Sequence, residues 1–502
     1  MKINHIILLF TLLFVSSCHQ RQDLGYVPSQ ESEVALTFTG SFADFSLAST
    51  RSYPADPVEI RKNRINFQGL RIVLYSVSAT DPNQAEQVAY AYDLDINAVK
   101  GVFSGSDLQP SEGADSFTFT TKGKVKVDPQ DYLVYLFTSP TEALKQATKV
   151  GQPFTALSEP MTYQQADFKD NQLLQNHYIS SAPTKVSKDL FSINALNKTY
   201  TITATPLTAL NAMLSVKWQA KVKDSRYELL SEELLFYPDV QNLKYTIFPK
   251  YSEVLQQSKN LKYPMDANYS GLSGKKTSEL TSEFLYRSQV QLPSFSSYTP
   301  ALSQVNSYRP LPENTMSGEE RGVNVITRTV IVVTMMPKAL KGRLTSDDVA
   351  NKNYSWILWN RQALTAKAFL NKYTAAKAKS NKTSEDQRII TDGNKIIKNG
   401  ELVKKGYEDE QIKYFYQGQC YYAVPITHFT PEQLGGTLEQ GGYYGVVRNH
   451  HYQLDIRSVG SVGKASYDAL PIDTEYSQNA HLSSIITIQD MDEIINIIET
   501  LE

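Results

Sequence analysis

Val34-Ala35-Leu36-Thr37-Phe38-Thr39 alternates apolar residues with small or polar ones, so Val34, Leu36 and Phe38 line one face of an extended chain. The stretch runs into FADFSLASTRSYPADP at 42–57, a loop with Arg51 near its middle and Pro54 and Pro57 behind it. A second strand is predicted over Gly69 to Val77, where Leu70, Ile72 and Leu74 alternate with Arg71, Val73 and Tyr75. Similar runs follow at Ser116 to Thr121, Tyr132 to Thr138 and Thr199 to Thr205, separated by Gly, Pro, Asp and Asn clusters. Thr141 to Val150 and Tyr163 to Leu174 read as short helices. Many short strands joined by turn chemistry describe a β-sandwich, so the expected fold class is all-β with minor helix.

Farther along, Thr205-Pro206 breaks the pattern and AMLSVKWQAK at Ala212 to Lys221 resumes the alternation, which places a domain boundary near Tyr200. Leu234 to Tyr237, Leu243 to Phe248 and the β-branched Val323 to Met335 read as strands of a second domain. Asn353 to Ala376 departs from this: Trp356, Trp359, Leu364, Ala368 and Phe369 fall at helical spacing, and one helix packed on the second sheet is expected. Lys377 to Glu410 is charged, as an exposed excursion would be. No repeat of 20–50 residues is present.

The length of 502 residues suits two or more domains. With 31 Tyr the composition favours pleated, half-buried surfaces, and a formal charge of −2 gives no reason to expect nucleic acid as a partner. At the N-terminus Lys2 precedes an apolar Ile6 to Val15, shorter than the roughly 20 residues that span a bilayer. Val15-Ser16-Ser17-Cys18 then resembles a bacterial lipobox, which makes residues 1–17 a lipoprotein signal peptide and Cys18 the lipidation site. Acyl chains anchor by burying CH₂ groups, about 0.8 kcal/mol each. HQRQDLGYVPSQESE after Cys18 reads as a tether, and Cys420 as a small core residue.

Motifs that carry chemistry are scarce. There is no H-E-x-x-H and no paired C-x-x-C. Of the close histidines His428, His450 and His451, the last two point to opposite faces of a strand, so only one could join His428 and no metal is expected. No G-x-S-x-G occurs. GSVGKAS at Gly460 to Ser466 lacks a glycine at Ser458 and a hydroxyl at Ala465, so it is a turn with a lysine in it rather than a phosphate loop. The chain reads as a non-enzyme, with no catalytic residue and no cofactor.

Two stretches carry a more specific pattern: IKYFYQGQCYYAVPITHF at Ile412 to Phe429 and GGYYGVVRNHHYQLDIRSVGSVGKA at Gly441 to Ala465. They resemble the C-terminal domain of the Bacteroidales fimbrillins, the type V pilins, in the version found in the shaft subunit of the short, Mfa-type fimbriae. The matching positions are Pro425, His428, Phe429, Tyr444, Gly445, Val446, Val447, Arg448, Asn449 and His450. The resemblance implies two tandem transthyretin-like β-sandwich domains, exported as a lipoprotein to a fimbrium at the cell surface by way of a lipid-anchored outer-membrane precursor. It also implies an Arg-specific processing protease that cuts the loop after the first strand. Arg51 matches the cleavage position, with Ser52 following it; Arg61, Lys62 and Arg64 sit closer to the next strand.

On that reading residues 18–51 form a propeptide, 52–200 an N-terminal domain, 201–470 a C-terminal domain and 471–502 a donor-strand arm. The displaced strand carries Val34, Leu36 and Phe38, and the donor strand carries Leu482, Ser484, Ile486 and Ile488 on one face. Beyond it Met491, Ile494, Ile495, Ile498 and Leu501 lie at helical spacing, and strand or helix is left open there. The implied partners are identical subunits, anchor and tip subunits of the fibre, the protease, and host or bacterial surface receptors. The competing reading is a non-polymerising surface lipoprotein, either a fimbrial anchor or accessory subunit or a glycan-binding module.

Overall fold

The computed structural model describes residues 34–41, 69–95, 99–100, 118–121, 124–164, 167–168, 174, 177–191, 199–219, 221–255, 260–286, 303–304, 307–320, 322–431, 433–434, 441–472 and 482–490. Cys18, Arg51 and Ser52, and with them the expected lipidation and cleavage positions, lie outside the described residues. So do the residues after Asp490 for which strand or helix is open.

The opening alternation becomes β1 (Val34–Ser41), whose burial itself alternates residue by residue. The first sandwich continues with β2 (Gly69–Val77), β3 (Ala85–Asp95), β4 (Thr118–Thr121), β5 (Val125–Val127) and β6 (Tyr132–Thr138). Helix α1 (Glu142–Ala147) starts at Thr141, whose hydroxyl accepts the N–H of Leu144. Then come β7 (Tyr178–Ser180), β8 (Thr184–Val186), β9 (Thr199–Thr203) and β10 (Leu207–Ala209). One sheet holds β1, β4, β5 and β9, with a short Val99–Lys100 strand beyond β4; the other runs β10-β7-β6-β2-β3, with β8 also on β6. Val34, Leu36 and Phe38 meet Leu70, Ile72, Leu74, Val134 and Leu136 in the core between them. This core extends past Tyr200 through Ile202, Ala204, Leu207 and Ala209, because β9 and β10 close the two sheets.

The second sandwich is built from β11 (Asn211–Trp218), β12 (Tyr227–Asp239), β13 (Tyr308–Pro312) and β14 (Arg328–Pro337). A lateral excursion comes next: β15 (Trp356–Trp359), β16 (Gln362–Thr365), α2 (Ala366–Ala378), α3 (Ser384–Ile396) and β17 (Ile412–Phe415). The chain returns with β18 (Gln419–Pro425), β19 (His450–Val459) and β20 (Leu482–Asp490). One sheet runs β13-β11-β19-β20 and the other β12-β14-β18, with a short Ser303–Gln304 strand beyond β12. Ala212, Leu214 and Val216 face Ile331, Val333, Tyr422 and Val424 across the core. The protein is thus predominantly β, with two sandwiches. A further apolar cluster, including Tyr135, Phe137 and Tyr163 together with Leu243, Tyr245 and Ile247, fills the space between them.

The single helix expected within Asn353 to Ala376 is replaced by a hairpin followed by a helix. Asn360 and Arg361 both take positive φ, 48° and 60°, which closes a two-residue hairpin between β15 and β16. Trp356 then stacks on Phe415 at 4.0 Å, and the following helix α2 packs on α3 and on this small sheet, not on the large one. Helix α3 rises from residues expected to be an exposed excursion; Thr383 and Asp386 form a capping box at its start.

A candidate assembly site at the opening and closing strands

Strand β1 is held on both edges. On one side it runs parallel to β9, with Leu36 opposite Tyr200 and Phe38 opposite Ile202. On the other it runs antiparallel to β5 near its start and to β4 near its end. The hand-over between β5 and β4 leaves Phe38 without a strand partner for its N–H, and the hydroxyl of Thr121 accepts it at 2.9 Å. Past the end of β9, the N–H of Ala204 donates to the carbonyl of Thr39 at 2.7 Å. Val34, Leu36 and Phe38 are 2%, 0% and 0% exposed. Around them Val125, Val127, Ile202 and Ala204 form the walls of an apolar slot. Thr37 and Thr201 meet hydroxyl to hydroxyl on the outer face at 3.1 Å.

Every other strand of this sheet comes from residues 99 onward, so β1 is inserted between elements that come later in sequence. Those later strands flank it on both edges, and the hydroxyl of Thr121 takes the N–H of Phe38.

Strand β20 sits differently. Among the described residues it pairs antiparallel with β19 alone, with Leu454 opposite Ile486 and Tyr452 opposite Ile488, and forms the outer edge of its sheet. Leu482, Ser484, Ile486 and Ile488 therefore lie in this strand, on the chain's own second sandwich. Residues 473–481, which precede it, lie outside the described residues.

His428 and His450 meet ring to ring at 5.0 Å, while His451 turns to the other face, where Nε2 and the hydroxyl of Ser215 are 2.8 Å apart. Burial, and after it the neighbouring His450, pushes His428 well below the usual imidazole range. Groups of three or more His, Cys, Asp or Glu able to hold a metal do not occur among the described residues. Cys420 is fully buried and burial pushes its thiol far above the ordinary range, which disfavours the thiolate. Lys464, in the Gly460 to Ser466 turn, donates to Glu408 at 3.2 Å. No helix among the described residues is long and apolar enough to cross a membrane.

Sequence reasoning identifies the alternating face of β1 but misses Thr121, whose role depends on where two other strands meet. It also misses a buried ion pair, Arg328 with Asp239, joined by Tyr467 at the base of the C-terminal segment.

Comparison with known families and structures gives a match over part of the chain. Residues 413–496 match the family described as major fimbrial subunit protein type IV, fimbrillin, C-terminal. A search of curated protein sequences found no match. Among solved structures, a candidate cell adhesion protein from Parabacteroides distasonis is 12% identical, with 93% of this chain and 100% of that one covered and a TM-score of 0.40. A fimbrilin from Porphyromonas gingivalis is 11% identical, covering 92% of this chain and 99% of that one, with a TM-score of 0.39. A C-terminally truncated tip fimbrial protein from the same species is 10% identical, covering 90% and 99%, with a TM-score of 0.32.

Proposed function

From a chain whose residues 413–496 carry the fimbrillin C-terminal family signature, we propose a structural shaft subunit of a cell-surface fimbria. It is exported as a lipoprotein on Cys18, cleaved after Arg51, and polymerised head-to-tail by donor-strand exchange. The observation that carries this reading is β1: an interior strand, first among the described elements, paired on both edges and buried on three apolar side chains.

Its removal has a calculable consequence. Each of Val34, Leu36 and Phe38 is worth roughly 1.5–3 kcal/mol of burial. Each buried backbone group left unpaired along β4, β5 and β9 costs roughly 1–3 kcal/mol. A replacement strand regains both terms, which is β-augmentation. The alternating Leu482, Ser484, Ile486 and Ile488 of a second subunit suit the slot, and β20, paired on one edge among the described residues, leaves its own sheet by breaking that edge. Such a contact is heterologous, so it propagates into a fibre.

The position of β20 on its own sandwich favours one rival, a non-polymerising surface lipoprotein in which that edge is permanent. One experiment separates the two. Full-length Arg51→Ala is compared with wild type for the N-terminus of the surface-displayed protein and for multimer ladders on unboiled gels. A mature chain beginning at Ser52, with ladders lost in the variant, supports the shaft reading. Ladders that persist in Arg51→Ala, or assembly untouched by deletion of residues 479–502, sink it.

A further inference from the structure

The segment that leads into β20 is tied down by an arrangement stability alone does not require. Asp239 ends β12 and Arg328 begins β14, and both side chains are buried, at 0% and 1% exposure. Arg328 Nε lies 3.0 Å and Nη2 2.9 Å from the same carboxylate oxygen, Oδ2, to which the hydroxyl of Tyr467 also donates at 2.8 Å. A buried ion pair is a poor source of net stability, because desolvation offsets the attraction, and apolar residues of the same volume commonly do as well. What an apolar pair lacks is the remaining contact: Arg328 Nη1 donates out of the pair to the carbonyl of Pro471.

Proline has no N–H, so that carbonyl is the one backbone hydrogen-bonding handle Pro471 offers. Its neighbours are held as well. Leu470 is buried with Tyr237, Val330, Val332 and Tyr467, and Ile472 packs against the cluster that contains Val240. Val240 is itself in the left-handed region at φ 57°, a costly conformation for a β-branched residue, and Thr327 donates to its carbonyl at 2.8 Å. Two adjacent pairs, Asp239-Val240 and Thr327-Arg328, thus form one over-determined knot at the point where the described chain leaves the second sandwich.

We propose that Arg328, Asp239 and Tyr467 are positioning residues that pin Pro471 as the fixed root of the C-terminal arm, so that only residues beyond this root move when the arm is donated. The inference rests on the shaft reading. If fully extended, residues 473–481 reach roughly 30 Å from that root before β20 begins. A pinned root sets the angle between one subunit and the next, and a freed root makes the joint flexible.

The test uses the full chain. In an Arg328→Met, Asp239→Leu double variant both charges go and volume is nearly kept; Tyr467→Phe removes a single donor. Hydrogen–deuterium exchange of the unprocessed proteins should rise at least tenfold over residues 466–472 in the double variant and about threefold in Tyr467→Phe, with β14 protected as in wild type. Fibres of the processed proteins, imaged in negative stain, should form in both variants, with persistence length at least threefold shorter in the double variant. Unchanged exchange at 466–472, or equally stiff fibres, overturns the pinned root. Absence of fibres from wild type overturns the shaft reading instead. In that event the exchange arm still judges the contact on Pro471. A double variant that does not fold leaves Tyr467→Phe to decide.

Discussion

The backbone N–H of Phe38 donates to the side chain of Thr121, 2.9 Å away, at the one place where β1 changes partner from β5 to β4. A strand normally has its N–H groups taken by carbonyls of the next strand. Here a hydroxyl, 3% exposed with its residue, fills the gap.

Thr121→Val keeps the volume and removes the acceptor, leaving a buried N–H unpaired at about 1–3 kcal/mol. The unprocessed chain should lose that much stability in urea denaturation, and Thr121→Ser should restore most of it. A protein produced without residues 1–51 should be indifferent to the change. Equal losses with and without β1 would show that Thr121 acts elsewhere.

His177 is wholly buried against the rings of Tyr163 and Tyr245, with no hydrogen-bond partner on either ring nitrogen among the described residues. Burial, then the nearby Arg448, holds it down to about 3. The folded value is depressed, so below the unfolded value of about 6.5 the unfolded chain takes up the proton and the folded chain does not. Stability therefore falls as the pH drops from about 6.5 toward 3, by about 1.4 kcal/mol per pH unit for this group. His177→Phe should flatten the pH dependence by that slope, measured as the difference between the two proteins; parallel curves would refute it.

Arg448 gathers the second sandwich around one guanidinium. Nε donates to Glu313 at 2.9 Å, Nη1 to the carbonyl of Ile247 at 3.1 Å and Nη2 to that of Thr246 at 2.9 Å. Lysine cannot reproduce a planar fork with three acceptors. Arg448→Lys should cost at least about 2 kcal/mol, read from the denaturation midpoint at unchanged slope, because Glu313 and the two carbonyls lose donors in a buried site.

Helices α2 and α3 touch through Gly393, where an added Cβ would stand 2.3 Å from Cδ2 of Tyr373. The ring cannot easily retreat, since its hydroxyl donates to Asn394 at 2.7 Å. Alanine favours a helix by up to about 1 kcal/mol over glycine, but overpacking costs about 1–3 kcal/mol. Gly393→Ala should speed hydrogen exchange in α2 and α3 while leaving β14 and β18 unchanged. Slower exchange in the helices would mean that propensity wins.

The strands are legible where one face meets a core and the other does not: Val34, Leu36 and Phe38 alternate in burial as they alternate in kind. The excursion at 356–396 is not legible in the same way, because Trp356, Trp359, Leu364 and Phe369 satisfy a helical spacing by coincidence. The two left-handed residues Asn360 and Arg361 fold that spacing into a hairpin. His450 and His451 do lie on opposite faces, as their adjacency in a strand requires, since a period of two needs no tertiary information.

The sequence by itself determined the strands with one buried face, such as β1, and the family pattern from Ile412 to Ala465, because side-chain periodicity and residue order are local properties of the chain. Only the tertiary structure decided that β1 is an interior strand, that Thr121 completes it, and that Arg328 reaches Pro471. These pairings join residues 83 and 143 positions apart. They arise from strand order and burial, which no local window of sequence contains.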